Sequence, residues 1–317
     1  MRLIASALLI FGLAAPGGGL AEPLSVPRLD DSTIDAYIDR GTAAGQQSIL
    51  LSFQGSRCTT VAPGGDRLPI KTPPSVALLH IEKYAVTPIV KAEACPAAYL
   101  ANNTTHGRVL DALTVVAHLR ANAPWWNRRL YLAGVSEGAV VAAITAGLAA
   151  ETQGVILING PVGQPFREGW TELMVESVRA GGGDAAAQTA VREEAAATWA
   201  KARATPTVET FFGDDNTLRW WASIIDLKPS NVLVNVSAPI LLMQSEKDRM
   251  SPPVAARAVV DRFKSAGKTN LTYRELPGLD HGLRDAHGKP RYEPVLAEAG
   301  AFLSRLEASR AATATRR

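Results

Sequence analysis

Short apolar runs alternate along this chain with stretches whose apolar residues return every three or four positions. That alternation predicts a mostly parallel sheet covered by helices on both faces, an α/β architecture. The runs 48–53, 76–81, 129–133, 154–158, 239–244 and 271–275 read as strands. Between and after them, 105–122 places Val109, Leu113 and Val116 on one helical face and ends before Pro124. The stretch 251–266 opens with Ser251 as a cap and Pro252 in the first turn, and stops at Gly267. A last helix is expected over 294–306, with Val295, Ala299, Phe302 and Leu306 at helical spacing.

Two stretches depart from this rhythm. Pro63, Gly64, Gly65, Pro69, Pro73 and Pro74 argue against a full helix between the first two runs. Ahead of residue 48 only 32–40 looks ordered; it reads as a helix, with no opening hairpin, so the sheet is expected to be small at that edge. Residues 161–227 differ in composition: a Gly181-Gly182-Gly183 break, an alanine-rich helical stretch over 184–204, and an aromatic stretch over 210–225. An insertion between two parallel strands, at their C-terminal edge, is where a lid would sit.

The domain plan is then a signal segment 1–21, a core of 22–160 with 228–309, a lid insertion 161–227, and a disordered tail 310–317. The first segment has Arg2, an apolar stretch from Leu3 to Ala15, and Gly19-Leu20-Ala21 as a small-x-small cleavage site. It is short for a bilayer span of about 20 residues. These features predict a periplasmic or secreted protein without stable membrane association. Thirty-three basic against thirty acidic residues, with no basic stripe, exclude nucleic acid as a partner. In an oxidising compartment the two cysteines, Cys58 and Cys95, are expected to pair and tie two loops together; two free buried thiols are the alternative. No cluster suits a metal site, and the oligomeric state is left open.

Chemistry enters at Gly134-Val135-Ser136-Glu137-Gly138, between the apolar run 129–133 and the apolar stretch 139–149. Strand, sharp turn and helix around a serine flanked by glycines form a nucleophile elbow. A serine needs a base, and the base a carboxylate to orient it. Asp248, in the turn after the 239–244 run, is the expected acid, with Glu246 as runner-up. His281, in Leu279-Asp280-His281-Gly282 before the last helix, is the expected base; His287 is its competitor, while His80, His106 and His118 fall within a strand or helix. The oxyanion donors are expected to be the backbone N–H groups of Glu137 and of Ser56, in Gln54-Gly55-Ser56-Arg57-Cys58 after the first run.

These three loops, Gly134 to Gly138, Ser245 to Asp248 and Gly278 to Gly282, resemble those of the α/β-hydrolase superfamily. Gln54-Gly55-Ser56 stands where many members carry His-Gly-x. The segments Leu79 to Tyr84 and Arg108 to Asp111, with Cys95, resemble a secreted bacterial branch. The resemblance implies a Ser-His-Asp mechanism through an acyl-enzyme, with water as acceptor and no cofactor. The substrate is read as a small-molecule ester or a peptide-like compound. Trp220 and Trp221, in a lid that also carries Trp170, Phe211 and Phe212, either line an acyl or aryl pocket or dock the lid on the body. Three functions stay open: a carboxylester hydrolase; a serine peptidase or aminopeptidase of prolyl-oligopeptidase type, gripping an amine with Glu137, Asp214 or Asp215; and a silent binding protein on the same fold.

Overall fold

Seven consecutive residues of the strand Gln47–Phe53 are buried, a pattern that only a central strand covered on both faces can satisfy. The computed structural model describes residues 21–88, 95–211 and 215–314; residues 1–20 of the expected signal segment, Phe212 and Asp214 lie outside them. The strands are β1 (Glu22–Pro27), β2 (Thr33–Asp39), β3 (Gln47–Phe53), β4 (Val76–Ile81), β5 (Trp126–Val135), β6 (Thr152–Ile158), β7 (Ile240–Ser245) and β8 (Leu271–Leu276). They form one sheet in the order β1-β2-β4-β3-β5-β6-β7-β8. The first two pairings are antiparallel and the rest parallel.

Side chains of a strand alternate between faces, so the continuous apolar run in β3 divides between two cores. Ile49, Leu51 and Phe53 join the core that includes residues of α2 (Thr105–Asn122), α3 (Glu137–Leu148) and α8 (Pro253–Ser265). Leu50 joins the other, under α9 (Tyr292–Ala314) with Val295, Ala299, Phe302 and Leu303. No helix forms over 54–75; Leu68 and Ile70 from that loop pack into the α9 side instead. Fully burying such an aliphatic side chain is worth about 1.5–3 kcal/mol, so a proline-rich loop can replace a covering helix where it supplies enough apolar area.

Three expectations are corrected. The stretch 32–40 is not a helix: it contains β2, paired with β1 in a hairpin that widens the sheet edge. Ile34, Ala36 and Ile38 are buried while Thr33 and Asp35 are exposed, which is the period of a half-buried strand. Helix α8 starts at Pro253 with Pro252 at its cap and no side-chain cap bond; Ser251 lies one residue earlier, in the turn where its amide donates to Asp248. Helix α9 continues to Ala314, into the stretch read as a tail.

The segment between β6 and β7 holds α4 (Phe166–Ala180), α5 (Ala185–Ala204), α6 (Leu218–Ile224) and α7 (Ser230–Leu233). Asp184 caps α5 by accepting from the amide of Ala187, and Gly182 takes the positive φ the break requires, at 83°. Trp221 is fully buried at the centre of these helices, with ring centroids 4.8 Å from Trp220, 5.1 Å from Trp170 and 5.2 Å from Trp199. The cluster is continuous with the core under α2 and α3.

Candidate active site

β5 ends at Val135 and α3 begins at Glu137, leaving Ser136 alone to make the turn, at φ 55° and ψ −125°. For a residue with a side chain this backbone costs on the order of 1–3 kcal/mol and persists only where neighbours enforce it. The glycines are those neighbours. A Cβ on Gly134 would lie 2.1 Å from the carbonyl oxygen of Gly138, and one on Gly138 would lie 2.2 Å from that of Phe53. Strand and helix therefore cross too closely for any other residue.

The loops after β7 and β8 bring two side chains to the same point. His281 Nε2 lies 3.0 Å from Ser136 Oγ, and its Nδ1 lies 3.0 and 2.9 Å from the two carboxylate oxygens of Asp248. An ionised carboxylate only accepts, so Nδ1 carries the proton and Nε2 is free to accept from the serine hydroxyl. Asp248 is buried and also accepts from the amides of Met250 and Ser251, at 2.9 and 2.8 Å, and from the Gln244 amide at 3.0 Å. Burial of the imidazole opposes its charged form, but the charge and hydrogen bond of Asp248, with Asp280 beside it, outweigh that and raise the His281 pKa above its ordinary 6.5. Glu246 is instead bound to Lys247 and the amide of Gly278, and His287 lies exposed in the loop beyond.

The loop after β3 passes directly over the serine: a Cβ on Gly55 would lie 3.4 Å from Ser136 Cβ. Ser56 follows in that loop, and the Glu137 amide opens α3, where the first amides have no intrahelical acceptor. Cys58 closes the loop in a disulfide with Cys95, Cα atoms 5.5 Å apart, ahead of α1 (Ala97–Asn102).

The Glu137 side chain is not available to grip an amine. Its carboxylate is buried, 2.9 Å from Arg108 Nη1, and accepts from Trp220 Nε1 at 3.0 Å. Trp220 and Trp221 are 3% and 0% exposed, so they dock the insertion and present no open face to a ligand.

Four side chains that sequence reasoning missed brace the site. Gln244 holds Asp248. Asn159 donates to the His281 carbonyl and to Ser245 Oγ, both at 3.0 Å, and accepts from the Ser245 amide at 2.8 Å. Arg108 donates to the Gln54 carbonyl at 2.8 Å, and Lys83 to those of Gly55 and Arg57. Asn159 left a signal as an Asn-Gly pair at the end of a strand run, and Lys83 and Arg108 fall in segments that carried a resemblance but no role.

Residues 102–283 match the family described as serine aminopeptidase, S33. No curated protein matches the sequence. Among solved structures, Est1E from Butyrivibrio proteoclasticus superposes with a TM-score of 0.54 at 13% identity, over 92% of this chain and 100% of that one. A Pyrococcus furiosus esterase gives 0.54 at 12% identity, over 90% and 91%. The Pyrococcus horikoshii acylaminoacyl peptidase gives 0.56 at 14% identity, over 92% of this chain but 42% of its own length. Sheet order, elbow and family match agree: this chain is an α/β hydrolase and belongs to the serine aminopeptidase S33 family.

Proposed function

We propose that the protein is an exported serine hydrolase cleaving a carboxylic ester through Ser136, His281 and Asp248. The observation that carries the reading is the unbroken hydrogen-bonded chain from Asp248 through His281 to Ser136, every link 2.9–3.0 Å. Ser136 Oγ attacks the acyl carbon as its proton passes to His281 Nε2. The amides of Glu137 and Ser56 hold the resulting oxyanion. Collapse returns that proton to the leaving alkoxide and leaves an acyl group on Ser136. Water then attacks with the same histidine as base, releasing the acid and restoring the hydroxyl. The helices between β6 and β7 serve as the lid.

The ester reading is supported by neighbours matched along nearly their whole length, an esterase among them. The family description and the acylaminoacyl peptidase favour a second reading, amide cleavage at a peptide N-terminus. Against it, the carboxylate of the residue after the serine, Glu137, is already taken by Arg108. A silent binding protein would have no need of an oriented imidazole. Turnover of p-nitrophenyl butyrate beside amino-acyl p-nitroanilides separates the two enzymatic readings. Ester turnover and fluorophosphonate labelling, both lost in Ser136→Ala, are expected. Turnover of anilides alone would establish the second reading; a wild type that neither turns over nor labels would reject both.

A further inference from the structure

Lys83, just beyond β4, is 3% exposed, yet among the described residues no carboxylate is in ion-pair contact with its ammonium. Buried lysines are ordinarily paired, because moving a charge out of water costs several kcal/mol. Here the donors go to backbone: Nζ binds the Gly55 carbonyl at 2.6 Å and the Arg57 carbonyl as well. These two carbonyls bracket the Ser56-Arg57 segment, and the first of them shares its peptide with the Ser56 N–H.

A trans peptide is planar, with its C=O and N–H pointing in opposite directions. The Gly55 carbonyl and the Ser56 N–H belong to one such plane. Fixing the oxygen towards Lys83 therefore turns the Ser56 N–H away from Lys83. Gly55 itself lies against Ser136, and among the described residues the Ser56 N–H has no protein acceptor. The loop would not hold this shape by propensity alone, since Arg57 sits at φ 102°, a conformation side chains rarely adopt. Arg108 adds a second buried cation on the neighbouring Gln54 carbonyl.

We propose that Lys83 is a positioning residue for the reaction: by holding the carbonyls of Gly55 and Arg57, at the two ends of the Ser56-Arg57 segment, its amino group aims the Ser56 N–H at the oxygen on which negative charge develops. The role rests on the serine-hydrolase reading above. Glu137, Asp66 and Asp215 favour the charged lysine, while burial and Arg108 oppose it and bring its pKa down to about 7. A buried amino group that donates to two main-chain carbonyls fits a task in shaping backbone.

The test is Lys83→Met, which keeps the length and removes the donors, assayed with p-nitrophenyl butyrate. Rates are expressed per site titrated by a fluorophosphonate, so misfolded chains do not enter. Loss of one oxyanion donor costs about 10²–10³ in kcat. A fall in kcat of about 100-fold is expected, with KM within about twofold of wild type. The affinity of a trifluoromethyl ketone, which adds to the serine as a tetrahedral oxyanion, should weaken in parallel with kcat/KM. A Lys83→Met enzyme with wild-type kcat, or with weakened KM alone, overturns the proposal. Should that variant fail to fold, Lys83→Gln decides, because its shorter side chain reaches at most one of the carbonyls; at least a tenfold loss of kcat is expected, and an unchanged kcat overturns the role. A wild type that is never labelled would overturn the underlying reading as well, which separates the two failures.

Discussion

In the proposed mechanism His281 must be neutral to take the serine proton, and its pKa lies above the ordinary 6.5. Turnover should therefore fall as pH drops through that raised value. Asp280 contributes to the rise, so Asp280→Asn, which keeps the acceptor for the Arg284 amide, should move the acid limb of kcat/KM to lower pH. An acid limb that stays in place would remove Asp280 from the electrostatics of the site. At this scale the meeting of Ser136, Asp248 and His281 was legible, because residue type and chain order after apolar runs single out these three. Glu137 and Trp220 were legible as positions but not as contacts; nothing in their spacing says that one binds the other. The contacts of Lys83, Arg108 and Gln244 were not legible at all. Two of them act on main-chain carbonyls and one on a carboxylate already chosen, and a sequence carries no record of which way a carbonyl points.

The elbow is the element on which the site turns, and its second glycine meets the loop after β3. A Cβ on Gly138 would also come within 2.6 Å of the Gln54 carbonyl, so Gly138→Ala must push that loop away from the serine. A displacement on the order of 1 Å near reacting atoms costs about 100-fold in rate. Gly138→Ala should lose at least that much turnover while Gly64→Ala, where a Cβ meets open space although φ is 85°, should lose little. Equal activity losses would mean that the loop does not need the close crossing. Among the elements, the six apolar runs were all found as strands, each within a few residues: burial on both faces leaves little room for polar side chains in strands such as β3 and β7, while the edge strand β8 alternates partly buried and exposed positions. The strand β2 was misread since Thr33, Asp35 and Asp39 interrupt its apolar residues, and over so short a stretch a half-buried strand resembles an amphipathic turn of helix.

Stability of the whole molecule has two separable contributions that can be read by melting. The Cys58–Cys95 bond spans 37 residues, and closing a loop of that length restricts the unfolded chain by about 3–4 kcal/mol. Reduction should lower the melting temperature; an unchanged value would show that the bond does not constrain the unfolded state. His80 lies buried in β4 against Ser52, and burial holds its pKa down to about 3, from 6.5. Between those values the unfolded chain binds a proton that the folded chain refuses, so stability falls as pH falls, by about 2 kcal/mol at pH 5. His80→Asn should flatten that slope, and an equal slope would assign acid sensitivity elsewhere.

The indole of Trp220 reaches from the insertion to the carboxylate beside the nucleophile. Transplanting a different cap onto this scaffold would thus strip a buried anion of one of its donors. Any chimaera must import a substitute N–H at that spot, or accept a looser serine along with its new specificity.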